Sequence, residues 1–281
     1  MTTRFSTLDW RTLSREALDS GLNNSGAVAG SGNMVAGWET LSAETRAQHG
    51  AHLNLSYGPR ERNRIDFLKA APNAPTLLFI HGGYWQMRSK DSFTMFAAGP
   101  MAHGINVALI GYTLAPDATL EQIVAEIHAG IDHLAGHLPE LGADASRLVA
   151  SGWSAGGHLT AMAMLNKHIK GGVAISGIYD LEPIRNSYLN VKLGLDEAMS
   201  HRNSPIRQTE SAIKPMALTV GAAELPLLRK QTADFAGHRA RFGLPVSYEE
   251  IPGANHFTIM DEMLAPTGRI TMMIRQLFER I

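Results

Sequence analysis

The feature that most constrains the fold is a series of short apolar segments separated by stretches with helical periodicity. Two half-exposed strands, at residues 52–56 and 64–69, are indicated first by alternating apolar and polar positions. Further strands are predicted at residues 76–80, 105–110, 147–151, 172–176, 216–220 and 246–251. Most of these are unbroken apolar runs, which are typical of strands covered on both faces. Strands that alternate with helices imply crossover connections, so we expect one α/β domain with a mainly parallel eight-stranded sheet and helices on both faces.

Helical periodicity fills the stretches between the predicted strands. Isoleucines recur at every fourth position from Ile123 to Ile131, which places them on one face of a helix. Thr119 and Gln122 have the spacing of a capping box at the start of this helix. Another helix is predicted over residues 226–242, and the last segment of the chain also carries its apolar residues on one helical face.

Two parts of the chain, one at the N-terminus and one between two predicted strands, are less regular. Residues 1–50 lack strong periodicity apart from a short helical pattern over 38–47, and we expect them to form an extended N-terminal arm packed on the domain. Residues 51–281 would then form the main domain. The stretch 177–215 is too long for an ordinary crossover loop, so part of it is predicted to make an excursion over the sheet.

Composition excludes several classes of function. The chain has 25 Lys and Arg against 26 Asp and Glu, which predicts no nucleic-acid partner. It has no cysteine, which excludes disulfides, thiolate metal sites and a cysteine nucleophile and fits a reducing cytoplasm. The first residues do not resemble a signal peptide. Glycine, proline or polar residues interrupt the uncharged stretches 92–116 and 148–166, so we expect buried core and no membrane span.

The strongest functional signal is a Gly-x-Ser-x-Gly pattern centred on Ser154. It follows the strand predicted at 147–151 and precedes an apolar helix predicted over 158–165. A sharp strand-to-helix turn lifts such a serine above the edge of the sheet, where it can act as a nucleophile. Gly152 and Gly156 fit a turn in which side chains would collide with neighbouring backbone. The sequence therefore predicts Ser154 as the nucleophile.

A second glycine pair follows the strand predicted at 76–80. The residues His-Gly-Gly-Tyr-Trp begin here at His81. Glycines let backbone N–H groups approach a ligand closely, and the loop after this strand supplies part of an oxyanion hole in sheets of this type. We predict donors at the N–H groups of Gly83 and Ala155, with Gly82 as a further candidate. His81 itself is expected to be structural.

A nucleophilic serine needs a base, and the base needs an orienting carboxylate. In this type of sheet the acid and then the histidine follow the serine along the chain. His256 lies just after the last predicted strand and is the predicted base. Glu224 is the acid in the loop after the strand at 216–220 and is the predicted orienting group. The weaker candidates for the acid are Asp180, Asp234 and Asp261.

Three aromatic residues adjoin these positions. Tyr84, Trp85 and Trp153 are predicted to line a substrate pocket. For Tyr84 and Trp85, packing of the loop is the alternative interpretation. His133 and His137 are four positions apart and could face one metal ion, but no third ligand is apparent. We therefore expect no metal and no cofactor.

These residues together resemble the α/β-hydrolase superfamily and, within it, the kynurenine formamidase (arylformamidase)-like esterases. The segments that carry the resemblance lie at Asn23–Asn24 and at residues 81–85, 112–116, 152–158, 176–181, 203–205 and 256–257. The sequence departs from the family in two respects. Its acid is Glu224 where animal members commonly have Asp, and Trp153 precedes the nucleophile where His is frequent.

The resemblance implies a hydrolase in which Ser154, Glu224 and His256 are the nucleophile, acid and base. It implies hydrolysis of N-formylkynurenine or of small aryl and acyl esters, and relatives suggest a homodimer. A general carboxylesterase without a formamidase role and a non-catalytic ligand receptor on the same scaffold remain the alternatives. Acyl transfer to an alcohol is a further option, and a lipase is disfavoured because no long apolar lid is evident.

Overall fold

A twisted sheet forms the centre of the molecule in the computed structural model, which describes residues 8–208 and 213–281. The strands are β1 (Leu55–Ser56), β2 (Arg64–Leu68), β3 (Thr76–Ile80), β4 (Asn106–Ile110), β5 (Leu148–Trp153), β6 (Ile169–Ile175), β7 (Met216–Gly221) and β8 (Val246–Ile251). Their order across the sheet is β1-β2-β4-β3-β5-β6-β7-β8. The β1–β2 and β2–β4 pairs are antiparallel, and the other pairs are parallel. The predicted eight-stranded, mainly parallel sheet is confirmed.

Helices occupy most of the connections. The α-helices are α1 (Arg15–Leu22), α2 (Asn24–Ala27), α3 (Ser31–Gln48), α4 (Ala98–Met101), α5 (Leu120–His137), α6 (Ala155–Ala163), α7 (Glu182–Arg185), α8 (Asn190–Leu193), α9 (Glu197–Arg202), α10 (Pro226–Arg241), α11 (Asp261–Leu264) and α12 (Arg269–Phe278). Short 3₁₀ helices occur at Trp10–Thr12, Gly50–His52, Lys90–Ala97, Pro205–Arg207 and Thr258–Met260. Within the described ranges, no helix is both long enough and apolar enough to cross a membrane.

Both faces of the sheet are covered, and strand β3 shows how. Leu78 and Ile80 belong to one hydrophobic cluster, together with residues of α5, α6 and α10. Leu77 and Phe79 belong to a second cluster, together with residues of α3 and α12. Because successive side chains of a strand point to opposite faces, one short apolar run contributes to two cores. This explains why the central strands carry continuous rather than alternating apolar residues.

The N-terminal arm is helical, so the prediction that it is extended is wrong. Helix α3 has 18 residues, but its buried residues are only Val35, Trp38 and Ser42. One narrow contact stripe produces little apolar periodicity, which is why the sequence indicated only its second half. The arm packs firmly, because Leu18 and Leu22 of α1 belong to the same cluster as the central strands. Residues 1–7 of the predicted arm lie outside the described residues, and the boundary at residue 50 stays a prediction.

The C-terminal edge of the parallel strands carries the longest connection. Between β6 and β7 the chain forms the short helices α7, α8 and α9 and a 3₁₀ turn, in the place of the predicted excursion. Residues 209–212 of this connection lie outside the described part of the chain. The same edge of the sheet carries the ends of β3, β5, β7 and β8, so the loops after these strands converge there.

Candidate active site

Ser154 alone forms the turn between β5 and α6. Its backbone has φ 60° and ψ −119°, a region that residues with a side chain rarely adopt. A side chain at Gly156 would collide with the carbonyl oxygen of Ile80, and one at Gly152 would collide with the carbonyl oxygen of Gly156. The two glycines are therefore required by close packing of backbone, and the turn between them holds Ser154 at the sheet edge.

The structure brings the predicted base and acid into hydrogen-bond contact with each other and with Ser154. The Nε2 atom of His256 lies 3.2 Å from the Oγ atom of Ser154. The Nδ1 atom of the same imidazole lies 2.6 Å from Oε2 of Glu224. All three residues are buried, at 3–5% exposure. The hydroxyl, imidazole and carboxylate thus form a continuous hydrogen-bonded chain of buried side chains.

The second carboxylate oxygen of Glu224 is also occupied. Its Oε1 atom accepts a hydrogen bond from the hydroxyl of Ser176 at 2.5 Å and another from the backbone N–H of Gly221 at 2.6 Å. Ser176 directly follows β6, next to the end of β7. No catalytic or supporting role is predicted for Ser176 from the sequence, although its place directly after a buried strand was a usable signal. These two donors and His256 fix the orientation of the carboxylate.

The weaker candidates for the acid lie elsewhere. Asp234 pairs with Lys230 at 2.7 Å, and Asp180 accepts a hydrogen bond from the backbone N–H of Glu182 at 3.1 Å. Asp261 begins helix α11. None of the three hydrogen-bonds His256 in the described part of the chain, so the geometry favours Glu224.

The loop after β3 lies directly against Ser154. A methyl group at Gly82 would lie 2.6 Å from the carbonyl oxygen of Trp153 and 3.0 Å from Cβ of Ser154. Gly83 has φ 116°, which a residue with a side chain rarely adopts. Ala155 begins α6, so its N–H belongs to the unpaired first turn of that helix. Within residues 8–208 and 213–281, the N–H groups of Gly83 and Ala155 donate to no backbone acceptor. Their role as oxyanion donors stays a prediction.

The three aromatic residues predicted to line a substrate pocket all pack against or hydrogen-bond other residues of the protein. The side chain of Trp85 is fully buried and packs edge-to-face on His158, with ring centroids 5.0 Å apart. Trp153 is 2% exposed, and its ring lies 4.7 Å from the imidazole of His256. Tyr84 is partly buried, and its hydroxyl hydrogen-bonds the N-terminal arm. Contact between substrate and these residues stays a prediction.

His81 occupies a structural position, as its place at the end of a buried strand suggested. Its ring stacks on Tyr112 at a centroid distance of 4.2 Å. Burial lowers the pKa of His81 to about 3, so the imidazole is neutral and can donate its Nδ1–H to the carbonyl of Gly82 at 2.9 Å. In the described ranges, no group of three or more His, Asp or Glu side chains is arranged to hold a metal ion.

Comparison with known proteins identifies the family of the chain. The BD-FAE family model matches residues 68–235, more than half of the chain. The kynurenine formamidase of Salmo salar is 30% identical over 240 residues, which cover 79% of this chain and 80% of that protein. The chain belongs to the BD-FAE family and to that of the kynurenine formamidases. The Danio rerio kynurenine formamidase is 29% identical to this BD-FAE protein with the same coverage.

Solved structures show the same fold. A thioesterase candidate from Silicibacter sp. TM1040 superposes on this BD-FAE protein with a TM-score of 0.85 and 24% identity, covering 92% of this chain and 98% of that one. The carboxylesterase EstE1 has a TM-score of 0.68 and 18% identity, covering 85% and 95% of the two chains. At these identities the likeness shows the α/β-hydrolase fold alone.

Proposed function

We propose that this BD-FAE protein is a serine hydrolase of small carboxylic esters or of aryl formamides of the N-formylkynurenine type, acting through an acyl-enzyme on Ser154. The observation that carries the proposal is the hydrogen-bonded chain from Ser154 through His256 to Glu224, with distances of 3.2 Å and 2.6 Å. A hydroxyl that is bonded to an imidazole, itself bonded to a carboxylate, is the arrangement that activates serine nucleophiles.

The first half of the reaction forms the acyl-enzyme. The Oγ atom of Ser154 attacks the substrate carbonyl carbon while Nε2 of His256 accepts the hydroxyl proton. The Glu224 carboxylate holds the imidazole by its Nδ1–H and stabilises the imidazolium that forms. The carbonyl oxygen becomes an oxyanion, which the N–H groups of Gly83 and Ala155, with Gly82 as a further candidate, stabilise.

The second half of the reaction releases the acyl group. When the tetrahedral intermediate collapses, the bond from carbon to the alcohol or amine leaving group breaks, and His256 gives this group its proton. A water molecule then attacks the ester carbon of the acyl-enzyme and transfers its proton to His256. Collapse of the second intermediate breaks the bond to Ser154, returns the proton to Oγ and releases the carboxylic acid.

The choice between formamides and esters rests on the relatives. The two fish relatives are named kynurenine formamidases, which supports an aryl formamide as substrate. Formyl is the smallest acyl group, so a formamidase is expected to have a tight acyl side and a larger aromatic leaving-group side. The ratio of kcat/KM for N-formylkynurenine to that for acetyl and butyryl aryl esters measures this directly. Similar values for all three would favour a general carboxylesterase.

The test of the mechanism is Ser154→Ala, assayed on the same substrates and with a fluorophosphonate probe. We expect turnover and labelling to be lost, while the fold is retained. Ser151→Ala is a matched control, because Ser151 is a buried serine of β5, the strand that precedes Ser154, and its hydroxyl donates to the carbonyl of Val173 at 2.8 Å. Retained turnover in Ser154→Ala would contradict the proposal. Tight binding of the substrates by the wild-type protein without turnover would favour a receptor.

We also propose that the protein acts in the cytoplasm, as a homodimer, without a nucleic-acid partner. The absence of cysteine fits a reducing compartment, and the near balance of 25 basic and 26 acidic residues gives no electrostatic attraction for nucleic acid. Cell fractionation tests the location, light scattering after size-exclusion chromatography tests the dimer, and a gel-shift assay tests nucleic-acid binding.

A further inference from the structure

The loop that carries the proposed oxyanion donors has an unfavourable backbone. Gly83, Tyr84 and Trp85 have φ values of 116°, 49° and 59°. Only the first is a glycine, and side chains at positive φ are strained, so the surrounding structure must hold the other two in place. The contacts of this loop therefore determine where its N–H groups point.

One contact ties the loop to a distant part of the chain. The Tyr84 hydroxyl donates a hydrogen bond to the carbonyl of Leu22 at 2.6 Å and accepts one from Nδ2 of Asn24 at 3.0 Å. Burial raises the pKa of Tyr84 above its usual value, so the phenol remains protonated and able to donate. Both partners are buried residues of the N-terminal arm. The hydroxyl is thus fully engaged by protein.

The arm is a firm point of attachment. Leu22 is 4% exposed and is the last residue of α1, and it belongs to the hydrophobic cluster that includes the central strands. The backbone N–H of Tyr188 donates to the Asp19 carboxylate at 2.8 Å, which joins the same helix to the excursion. Tyr84 therefore links the loop to an element that the core itself immobilises.

We infer that Tyr84 is a positioning residue, whose hydroxyl anchors the Gly82–Gly83 loop to the N-terminal arm and so aims the oxyanion donors. This inference rests on the proposed function. It assigns the hydroxyl to the arm rather than to the substrate, in contrast to a pocket-lining role. A substrate contact of the hydroxyl would affect KM, whereas misdirected oxyanion donors weaken an interaction made in the transition state and lower kcat.

The chain offers a closely matched control at Tyr57. Its hydroxyl donates to the carbonyl of Gly111 at 2.6 Å and accepts from Nδ2 of Asn63 at 3.3 Å. Tyr84→Phe and Tyr57→Phe each remove one donated and one accepted hydrogen bond from a partly buried tyrosine. Only the first of these tyrosines belongs to the loop after β3. Comparing the two separates loss of positioning from general loss of stability.

The experiment measures kcat, KM and the affinity of an aryl boronic acid, which mimics the tetrahedral intermediate, for both variants. In Tyr84→Phe we expect kcat to fall about tenfold, less than the 10²–10³-fold that removal of a donor costs. We expect KM to change less than twofold and the boronate to bind about tenfold more weakly. Asn24→Ala should change kcat in the same direction, and Tyr57→Phe should leave it unchanged.

A second measurement does not depend on catalysis. Hydrogen–deuterium exchange of a peptide covering residues 82–88 should be faster in Tyr84→Phe and unchanged in Tyr57→Phe. Wild-type kcat and exchange in Tyr84→Phe, a change in KM alone, or an equal loss of kcat in Tyr57→Phe would overturn the inference. Failure of the proposed function is distinguishable, because it would appear as turnover retained in Ser154→Ala, while the exchange measurement still tests the anchor.

Discussion

The indole N–H of Trp153 donates a hydrogen bond to the backbone carbonyl of His256 at 2.8 Å, between residues 103 positions apart. The indole ring also lies 4.7 Å from the imidazole ring, inclined by 34°. Trp153 is the last residue of β5 and directly precedes Ser154. One side chain therefore connects the end of the strand that precedes Ser154 to the loop that carries the imidazole.

Trp153→Phe is expected to lower both activity and stability. The phenyl ring retains much of the packing but leaves the His256 carbonyl without its indole donor, and a lost buried hydrogen bond costs about 1 kcal/mol of unfolding free energy. We predict a fall in kcat of about tenfold from misplacement of the imidazole. Steady-state kinetics and thermal unfolding measure the two effects.

Trp38→Phe is the control for this variant. Trp38 packs edge-on against Trp153 at 5.6 Å in the same aromatic cluster, so its replacement perturbs the packing without removing the bond to His256. It should lower the melting temperature with little effect on kcat. Equal losses of kcat in the two variants would show that the cluster, and not the hydrogen bond, positions the base.

Glu224→Gln tests the orienting carboxylate. Glutamine has the same shape but no charge to stabilise the imidazolium, and its amide can present N–H in place of Oε2 toward His256. We predict a fall in kcat of about 10⁴-fold, as for the corresponding Asp-to-Asn change in another serine triad. Asp234→Asn, at a rejected acid candidate, should leave kcat nearly unchanged, because Asp234 pairs with Lys230 and does not hydrogen-bond His256 in the described part of the chain. A large loss in Asp234→Asn would contradict the assignment.

Ser176→Ala tests the support of that carboxylate. The change removes the 2.5 Å hydrogen bond to Oε1 of Glu224 and leaves the bond from the Gly221 N–H. Outer hydrogen bonds of this kind typically change activity by 10–100-fold in metal sites, and we expect about tenfold in kcat here. Comparison with Ser151→Ala separates this effect from loss of a buried serine hydrogen bond. Wild-type kcat with a lowered melting temperature would make Ser176 purely structural.

Local patterns explain which parts of the fold could be predicted. Each central strand has its own apolar run, and the turn at Ser154 needs the glycines at 152 and 156. Both features can therefore be recognised from a few consecutive residues of the sequence. The loop after β7 contains one acid, Glu224, and the loop after β8 contains one histidine, His256. Chain order was therefore enough to predict these two residues as the acid and the base.

Contacts between distant segments could not be predicted in this way. Tyr84 bonds residues about 60 positions away, and the bond partners of Ser176 depend on the pairing of β6 with β7. Only the second half of helix α3 was predicted, because the helix buries just three side chains and is stabilised by tertiary packing rather than by a strong apolar periodicity. Such features become visible only when the sheet order is known.

The free energy of unfolding is expected to fall as the pH drops from 6.5 toward 4. Burial of His158 in α6 lowers its pKa from 6.5 to about 4, and its Nε2 atom lies 2.7 Å from the carbonyl of Asn203. In the unfolded chain this histidine gains a proton below pH 6.5, whereas in the folded protein it stays neutral until about pH 4. Protons therefore favour unfolding in this range, by up to about 1.4 kcal/mol per pH unit for each such histidine.

His158→Gln isolates this contribution from that of the carboxylates. Glutamine can keep a donor for the Asn203 carbonyl but does not titrate. As the pH drops from 6 to 4.5, the unfolding free energy of the variant should therefore fall less steeply than that of the wild type, by up to about 1.4 kcal/mol per pH unit. Urea titrations at a series of pH values measure the slope. His201→Gln, at an exposed position, controls for the substitution itself. Because protonation of carboxylates is common to all three proteins, a slope in His158→Gln equal to that of the wild type would mean that the folded protein accommodates a charged His158.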